Sequence, residues 1–261
     1  MLAPLPPLAS EILAGYVGGA AKTLAFYPLD TMTTLREVRV ARRQSPLRYY
    51  AGLPLTLVAA LPFAVIFHTA FWLCETLLDD KLPVAAIKLC ASVCGAIASA
   101  LVGVPFEMIK HRVQLGVTGY DTPRSAIQST LRSDGVGGLY TGMSSTLARN
   151  VPYNALHFGI FELAATAWRS DMLAGAVAGA ITALLTTPLD LVNTRLQTQA
   201  ISASLTGTST NFTGVADALV TIWRDEGGPL ALMRSAGIRM LQYAPSALVF
   251  FVVYGAIKRR F

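Results

Sequence analysis

Long uncharged runs alternate with shorter polar, basic stretches along this chain. Charged residues are absent from residues 49–74, 89–106, 172–189 and 240–257. Each of these windows reaches the roughly 18 uncharged residues that are typical of a membrane-spanning helix. Buried helices of this length in soluble proteins usually keep a polar face. The pattern therefore predicts an integral membrane protein made of α-helices.

Composition agrees with this interpretation and excludes several other classes. Of the 261 residues, 53% are hydrophobic and 14% are charged, against about 25% charged in ordinary soluble domains. A net charge of +6 would suit a nucleic-acid-binding protein, but the charges lie between the apolar runs, so we expect no nucleic-acid partner. No nucleophile–base pair, metal-ligand spacing or phosphate-binding loop is evident, so we expect no enzyme activity, cofactor or metal site.

Three segments of the chain repeat the same pattern of proline, acid and small residues. Pro28, Pro105 and Pro188 are each followed two residues later by an acid. Small residues, which let membrane helices approach closely, stand thirteen and nine residues before each proline. These small residues are Gly15 and Gly19, Ser92 and Ala96, and Gly175 and Gly179. The shared offsets predict three repeats of about 80 residues, which we place at residues 1–80, 81–169 and 170–261.

A second landmark divides each repeat into two helices. Pro62, Pro152 and Pro245 each have an aromatic residue nine positions later. A polar, basic stretch lies between the two landmarks of each repeat, and the first of these stretches contains Arg36, Arg39, Arg42, Arg43 and Arg48. Three repeats of two helices predict six membrane-spanning helices, with all three basic connections on one side. The positive-inside tendency assigns that side to the interior of the compartment.

The N-terminus and the cysteines add little at this stage. The segment MLAPLPPLAS lacks a basic n-region, so we expect no cleaved targeting segment. Cys90 and Cys94 stand four residues apart and would share a helix face. Packing as small apolar side chains is favoured over a redox or metal pair, because no histidine is near them in sequence.

The triplicated motif resembles that of the mitochondrial carrier family. The residues that carry the resemblance are the three Pro-x-acid-x-x segments at the ends of the odd helices, the small pairs upstream, Asp134-Gly135 and Tyr140-Thr141-Gly142. The resemblance covers nearly the whole chain. It implies an all-α membrane protein with six transmembrane helices in three pseudo-threefold repeats, short helices on the matrix side, and transport of a small solute by alternating access through a central site. By the same resemblance we expect a monomer.

The resemblance also implies a matrix-side gate beyond the three prolines, which would kink their helices. The acids would be Asp30, Glu107 and Asp190, and the positions that the family fills with bases hold Thr33, Lys110 and Asn193. One ion pair is then expected, between Asp30 and Lys110. Glu107 with Asn193, and Asp190 with Thr33, would form only hydrogen bonds. We therefore expect a weak gate, which Arg112 and Arg195 would partly compensate.

Further family positions predict a second gate and lipid sites. On the cytosolic side only one acid and one base remain where the family places its charges, Glu162 and Lys258, so we expect a loose gate there. Cardiolipin sites are suggested by aromatic-x-Gly at Gly52 and Gly142, whereas Met233-Arg234-Ser235 departs from that pattern.

Substrate contacts in the family lie two or three residues before the even-helix prolines. The positions here include Ala59, Arg149, Asn150, Gln242 and Tyr243, and polar helix faces add Asn154, His157 and Arg239. Lys22, six residues before Pro28, should also face the cavity. Lys22, Arg149 and Arg239 would place three cations near the path of the solute. This favours an anionic or zwitterionic substrate.

The stretches STLARNVPYNALHF and TTPLDLVNTR resemble S-adenosylmethionine carriers most, and NVPYNALHF also resembles mitoferrins. S-adenosylmethionine carriers, however, have acids where Lys22 and Asn150 stand. An iron carrier and a degenerate carrier acting as a membrane scaffold or adaptor remain as alternatives. The resemblance implies the mitochondrial inner membrane as location, with another organelle membrane as the alternative.

Overall fold

The computed structural model describes residues 7–40, 45–78, 81–206 and 211–259, and every regular element in this part of the chain is helical. Arg42, Arg43 and the first residues of the N-terminal segment lie outside the described residues. The six long helices are α1 (Pro7–Glu37), α2 (Leu53–Leu78), α3 (Val84–Leu115), α6 (Met143–Trp168), α7 (Asp171–Thr206) and α10 (Ala236–Lys258). The short elements are a 3-10 helix (Pro46–Tyr50), α4 (Pro123–Ser133), α5 (Gly135–Gly138), α8 (Val215–Asp225) and α9 (Pro229–Leu232).

The six long helices form a closed ring. In chain order α1 packs on α2, α2 on α3, α3 on α6, α6 on α7 and α7 on α10, and α10 packs back against α1. Each of Pro28, Pro105 and Pro188 lies inside its helix, which continues on both sides of the proline. The predicted all-α fold is therefore confirmed in the described part of the chain, while its division into three repeats stays a prediction.

Four segments of the described chain are long and apolar enough to cross a membrane. They are Pro46–Leu78, Ala86–Leu115, Asp171–Ser202 and Pro229–Lys258, with mean hydropathies of 2.0, 2.0, 1.7 and 1.6. They contain α2, α3, α7 and α10, and coincide with the four uncharged runs of the sequence. Helices α1 and α6 do not meet the same criteria, since charged and amide side chains such as Lys22, Arg149 and Asn150 lower their hydropathy.

The small residues upstream of the prolines lie at close helix contacts. A Cβ added to Gly175 of α7 would stand 2.1 Å from the ring of Phe251 on α10, and one added to Gly15 of α1 would stand 2.8 Å from His68 on α2. Ser92 and Ala96 on α3 are buried. The prediction of close helix contacts is therefore confirmed for Gly15 and Gly175, whereas a Cβ added to Gly19 would meet nothing within 4 Å.

The short helices occupy the three polar connections, at the end of the ring beyond Pro28, Pro105 and Pro188, which we call the proline end. Local sequence explains where α4 begins. Thr122 accepts a hydrogen bond from the backbone N–H of Ser125 at 3.2 Å, and Pro123 fills the first helical position, where no N–H is needed. The predicted short helices in the connections are thus present.

Candidate functional site

A cavity of about 140 Å³ opens inside the ring, between α1, α2, α3 and α10. Its polar lining comes chiefly from α1 and α10. Those residues are Lys22, Thr23, Tyr27, Asp30, Thr56, Lys110, Gln242, Tyr243 and Ser246, and Phe26 completes the wall. Of the predicted substrate positions, Lys22, Gln242 and Tyr243 line this cavity, and their binding of a substrate stays a prediction. Ser246 belongs to the same polar face of its helix as Gln242 and Tyr243, whereas Thr23, Tyr27 and Thr56 were not predicted from the sequence.

The predicted ion pair between Asp30 and Lys110 closes one side of this cavity. The Lys110 ammonium lies 2.9 Å from Oδ2 of Asp30, and both side chains are mostly buried. Gln114, which sequence reasoning missed, donates a hydrogen bond to the same Oδ2 at 2.8 Å. Its carbonyl oxygen accepts one from Thr34 at 2.8 Å. Charge attraction and a neutral hydrogen bond thus join α1 to α3.

The other two acids pair with arginines of the even helices. Arg149 on α6 donates to both carboxylate oxygens of Glu107 on α3, at 2.6 and 3.1 Å, and reaches Oδ1 of Asp190 on α7 at 3.4 Å. The guanidinium of Arg239 on α10 lies 2.5 Å from Oδ2 of Asp190. These four residues, which we call the Asp190 network, carry two negative and two positive charges and connect α3, α6, α7 and α10.

The network corrects the expected partners of Glu107 and Asp190. Asn193 does not contact Glu107, because its carbonyl oxygen accepts hydrogen bonds from Ser145 at 2.8 Å and Thr146 at 3.0 Å. Thr33 does not contact Asp190 and instead donates to the carbonyl oxygen of Leu29 one turn back. The repeated motif predicts partner bases only on the odd helices. Long guanidinium side chains from the even helices reach the same acids.

The expected compensation by Arg112 and Arg195 is also corrected. Arg112, 1% exposed, donates to Thr130 at 2.8 Å and lies 3.5 Å from the carboxylate of Asp134, so it binds the short helix α4 and the residue after it. Arg195 donates to the backbone oxygen of Glu37 at 2.5 Å and pairs with Glu226 at 3.2 Å. Both arginines therefore bind residues in or next to the polar connections, and not Asp30, Glu107 or Asp190.

Glu37, which the sequence analysis also missed, joins three helices at the proline end. Its side chain is 2% exposed and accepts hydrogen bonds from Thr194 of α7 at 2.6 Å and from Ser235, the residue before α10, at 2.9 Å. Glu37, Gln114 and Gln197 each stand nine residues after the proline of their repeat, and Gln197 donates to Thr146 at 3.0 Å. The shared offset is the signal that could have identified all three.

Predicted substrate positions on α6 and α2 lie outside the cavity lining. Asn150 accepts a hydrogen bond from Arg149 at 3.0 Å, and Asn154 donates to the backbone oxygen of Asn150 at 2.8 Å. His157 stacks on the ring of Tyr153 with centroids 5.7 Å apart. Ala59 is partly buried on α2, one turn beyond the cavity residue Thr56. These positions do not line the cavity, but they lie close to it, since Tyr153 of α6 contacts Tyr243 of α10 with ring centroids 5.9 Å apart.

The three predicted cations do not behave alike. Arg149 and Arg239 are paired with Glu107 and Asp190, which removes their excess charge from the path. Lys22 is exposed toward the cavity, with its ammonium 5.5 Å from the ring centroid of Phe250, and it pairs with no carboxylate in the described part of the chain. Of the three predicted cations, two are therefore neutralised by carboxylates, and Lys22 is the one that leaves a positive charge at the cavity.

The remaining predicted positions lie at the two ends of the ring. Glu162 and Lys258 are exposed, and the ammonium of Lys258 lies 5.6 Å from the ring centroid of Tyr254.

Gly52 and Gly142 directly precede α2 and α6 with φ of +87° and +83°, a left-handed conformation that favours glycine. An added Cβ would stand 2.9 Å from Oη of Tyr27 at Gly52 and 2.7 Å from Cγ of Gln197 at Gly142.

Comparisons with known proteins agree with this architecture. The sequence profile described as mitochondrial carrier protein matches residues 80–171 and 164–261. The chain is 33% identical to the probable S-adenosylmethionine carrier 2, chloroplastic, of Arabidopsis thaliana. The alignment covers 97% of this chain and 74% of that relative. It is 31% identical to the mitochondrial S-adenosylmethionine carrier protein of Xenopus tropicalis, over 95% of each chain. Human mitoferrin-2 is 27% identical over 95% of this chain and 76% of its own length. The profile match and these identities show that this chain belongs to the mitochondrial carrier family.

Proposed function

We propose that this protein carries a small anionic or zwitterionic metabolite across an organellar membrane by alternating access. The observation that carries the proposal is Lys22, a cation that faces a polar cavity inside a closed ring of helices. A carboxylate or phosphate of the solute would receive a charge-assisted hydrogen bond from its ammonium. Gln242, Tyr243 and Ser246 offer neutral hydrogen-bonding groups on the facing wall.

The proposal includes all six long helices as membrane spans. At 1.5 Å per residue, the 31 residues of α1 and the 26 residues of α6 are each longer than a hydrocarbon core of about 30 Å. Both helices stand in the ring between helices that qualify as spans. Lys22 of α1 faces the cavity and Arg149 of α6 pairs with Glu107 and Asp190, so water and protein groups reduce the cost of burying these charges in the membrane.

The proline end would act as the gate on the matrix side. The Asp30–Lys110 pair and the Asp190 network join the helices there, and their polar partners Gln114, Ser145 and Thr146 add hydrogen bonds. Binding of the solute would have to offset these interactions for the gate to open. The scaffold alternative was motivated by the scarcity of charge pairs, and the Asp190 network removes that motivation.

The relatives favour S-adenosylmethionine as a second candidate substrate, since two of them are named as its carriers. Lys22 argues against it, because the sulfonium and amine of that molecule would both be repelled by an ammonium in the cavity. Its carboxylate alone would be attracted.

For location we propose the mitochondrial inner membrane, with a plastid membrane as the alternative that the name of the Arabidopsis relative suggests. We further propose a monomer that binds cardiolipin at the starts of α2 and α6. There the backbone N–H groups that follow Gly52 and Gly142 would face a lipid phosphate.

The test is uptake by proteoliposomes that contain the purified protein. The panel comprises labelled di- and tricarboxylates, nucleotides, amino acids, S-adenosylmethionine and Fe²⁺. Accumulation of an anionic or zwitterionic solute, with stabilisation of the protein against thermal unfolding by the same solute, supports the proposal. If S-adenosylmethionine or Fe²⁺ is the only solute taken up, the protein carries that cation and not an anionic or zwitterionic metabolite. Absence of any uptake by folded protein would contradict the carrier function itself.

A further inference from the structure

Two cysteines on neighbouring helices lie in contact at the end of the ring away from the proline end. The Sγ atoms of Cys74 on α2 and Cys94 on α3 are 3.5 Å apart. Both thiols are free, Cys74 being half-buried and Cys94 exposed. The sequence suggested a different pair, Cys90 and Cys94, which share α3.

The backbones of α2 and α3 approach closely next to this pair. A Cβ added to Gly95 would stand 3.0 Å from the backbone oxygen of Phe67 on α2. A disulfide requires its two Cα atoms to lie within about 7 Å and its sulfurs to close to about 2.05 Å. The two Sγ atoms, now 3.5 Å apart, would have to approach by about 1.5 Å to form that bond.

The pair is also close to the aqueous boundary. The 26 residues of α2 span about 39 Å, so the helix exceeds a hydrocarbon core of about 30 Å at its ends. Cys74 lies four residues, or about 6 Å, before the last residue of α2. Its thiol therefore lies near the headgroup region, where a small oxidant dissolved in water can reach it.

We propose that Cys74 and Cys94 are a peroxide-sensitive thiol pair whose disulfide locks α2 to α3. One cysteine gives its proton to solvent and its sulfur attacks hydrogen peroxide, so that an S–O bond forms, the O–O bond breaks and the leaving hydroxide takes up a proton to become water. The second sulfur attacks the sulfenic sulfur, so that the S–S bond forms, the S–O bond breaks and a second water leaves. Two thiols lose two electrons, and one peroxide is reduced to two waters.

The functional consequence rests on the proposed function. The sulfurs meet in the conformation in which the Asp30–Lys110 pair and the Asp190 network are formed. A disulfide would fix α2 against α3 in that conformation. If these helices slide past one another when the proline end opens, oxidation arrests transport and a thiol reductant restores it.

The first experiment maps disulfides in the purified wild-type protein after treatment with hydrogen peroxide. Alkylation should find one reactive thiol in place of three, and peptide mass spectrometry should find Cys74 linked to Cys94. The variant Cys90→Ser is the matched control and should form the same link. Loss of the link in Cys74→Ser and Cys94→Ser is expected. A link through Cys90, or oxidation to sulfinic acid without a link, would overturn the proposal.

The second experiment measures uptake by oxidised proteoliposomes. Wild type and Cys90→Ser should lose most of their uptake and recover it with dithiothreitol, whereas Cys94→Ser should keep it. Unchanged uptake by protein that carries the mapped link would overturn the regulatory role. Because the link is mapped without any transport assay, failure of the carrier function and failure of the thiol pair are separable.

Discussion

Arg149 on α6 binds both carboxylate oxygens of Glu107 on α3, at 2.6 and 3.1 Å. The two residues lie in the same predicted repeat but were assigned different roles from the sequence, one as a substrate contact and the other as a gate acid. Their contact means that the proline end is held together by charges on both odd and even helices. Arg239 and Asp190 repeat the same arrangement between α10 and α7.

Arg149→Ala should lower the stability of the closed form. Glu107 would be left mostly buried without its bidentate partner, and removing one member of a buried pair costs about 3–5 kcal/mol. The double variant Glu107→Gln/Arg149→Ala should lose less than Glu107→Gln and Arg149→Ala lose together, because it leaves neither charge alone. Thermal unfolding in detergent measures all four proteins of the cycle. Additive losses would show that the two residues are not coupled.

Asn193→Lys should destabilise the protein. From the repeat alone, a lysine at this position would be expected to restore an ion pair with Glu107. The structure places the fully buried Asn193 among Ser145, Thr146 and Gln197, whose hydrogen bonds it accepts. A lysine would remove that acceptor and bury a cation whose intended partner already binds Arg149. A raised unfolding midpoint for this variant would contradict the described partners.

Ser235→Ala tests the buried Glu37 contact. The hydroxyl of Ser235 donates to Oε1 of Glu37 at 2.9 Å, and its loss leaves that oxygen without this donor. The expected cost is about 1–3 kcal/mol of unfolding free energy. Ser133→Ala, which changes an exposed serine at the end of α4, is the matched control and should unfold as the wild type does. Equal midpoints for the two variants would argue against the contact.

Gly52→Ala and Gly142→Ala should both be destabilising, for two reasons that can be separated. An alanine in the left-handed conformation costs about 1–2 kcal/mol by itself. At these glycines it would also press against Tyr27 or Gln197, whereas at Gly135, with φ of +66°, an added Cβ meets nothing within 4 Å. Gly135→Ala should therefore show the conformational cost alone and unfold at the highest temperature of the three. The reverse order would contradict the close contacts.

The sequence was sufficient for the architecture because the same landmarks recur three times. The prolines, the small pairs and the uncharged runs predicted helix pairs, close helix contacts and polar connections, and a ring with these features is present. The Asp30–Lys110 pair was implied by the resemblance to the carrier family, in which the acid two residues after one proline pairs with the base five residues after the proline of a neighbouring odd helix.

Side-chain partners that break the threefold pattern could not be found in this way. Arg149 stands three residues before Pro152 and Arg239 six before Pro245, so no shared offset connects them. Both can reach the acids only because α6 and α10 pack beside α7. The contact of Cys74 with Cys94 likewise depends on the register of α2 against α3, which spacing within one helix does not specify. Glu37, Gln114 and Gln197 were predictable, because they share one offset.

The initial rate of solute uptake by Lys22→Gln proteoliposomes tests the central claim most directly. Lys81→Gln, which removes an exposed lysine from the turn between α2 and α3, is the matched control. A hydrogen bond to a charged group contributes about 1.5–3 kcal/mol, or about one to two powers of ten in rate. We expect wild type and Lys81→Gln to take up an anionic or zwitterionic solute at similar rates, and Lys22→Gln to be at least about tenfold slower. Equal rates for all three proteins, or no uptake of any solute by folded wild type, would contradict this account.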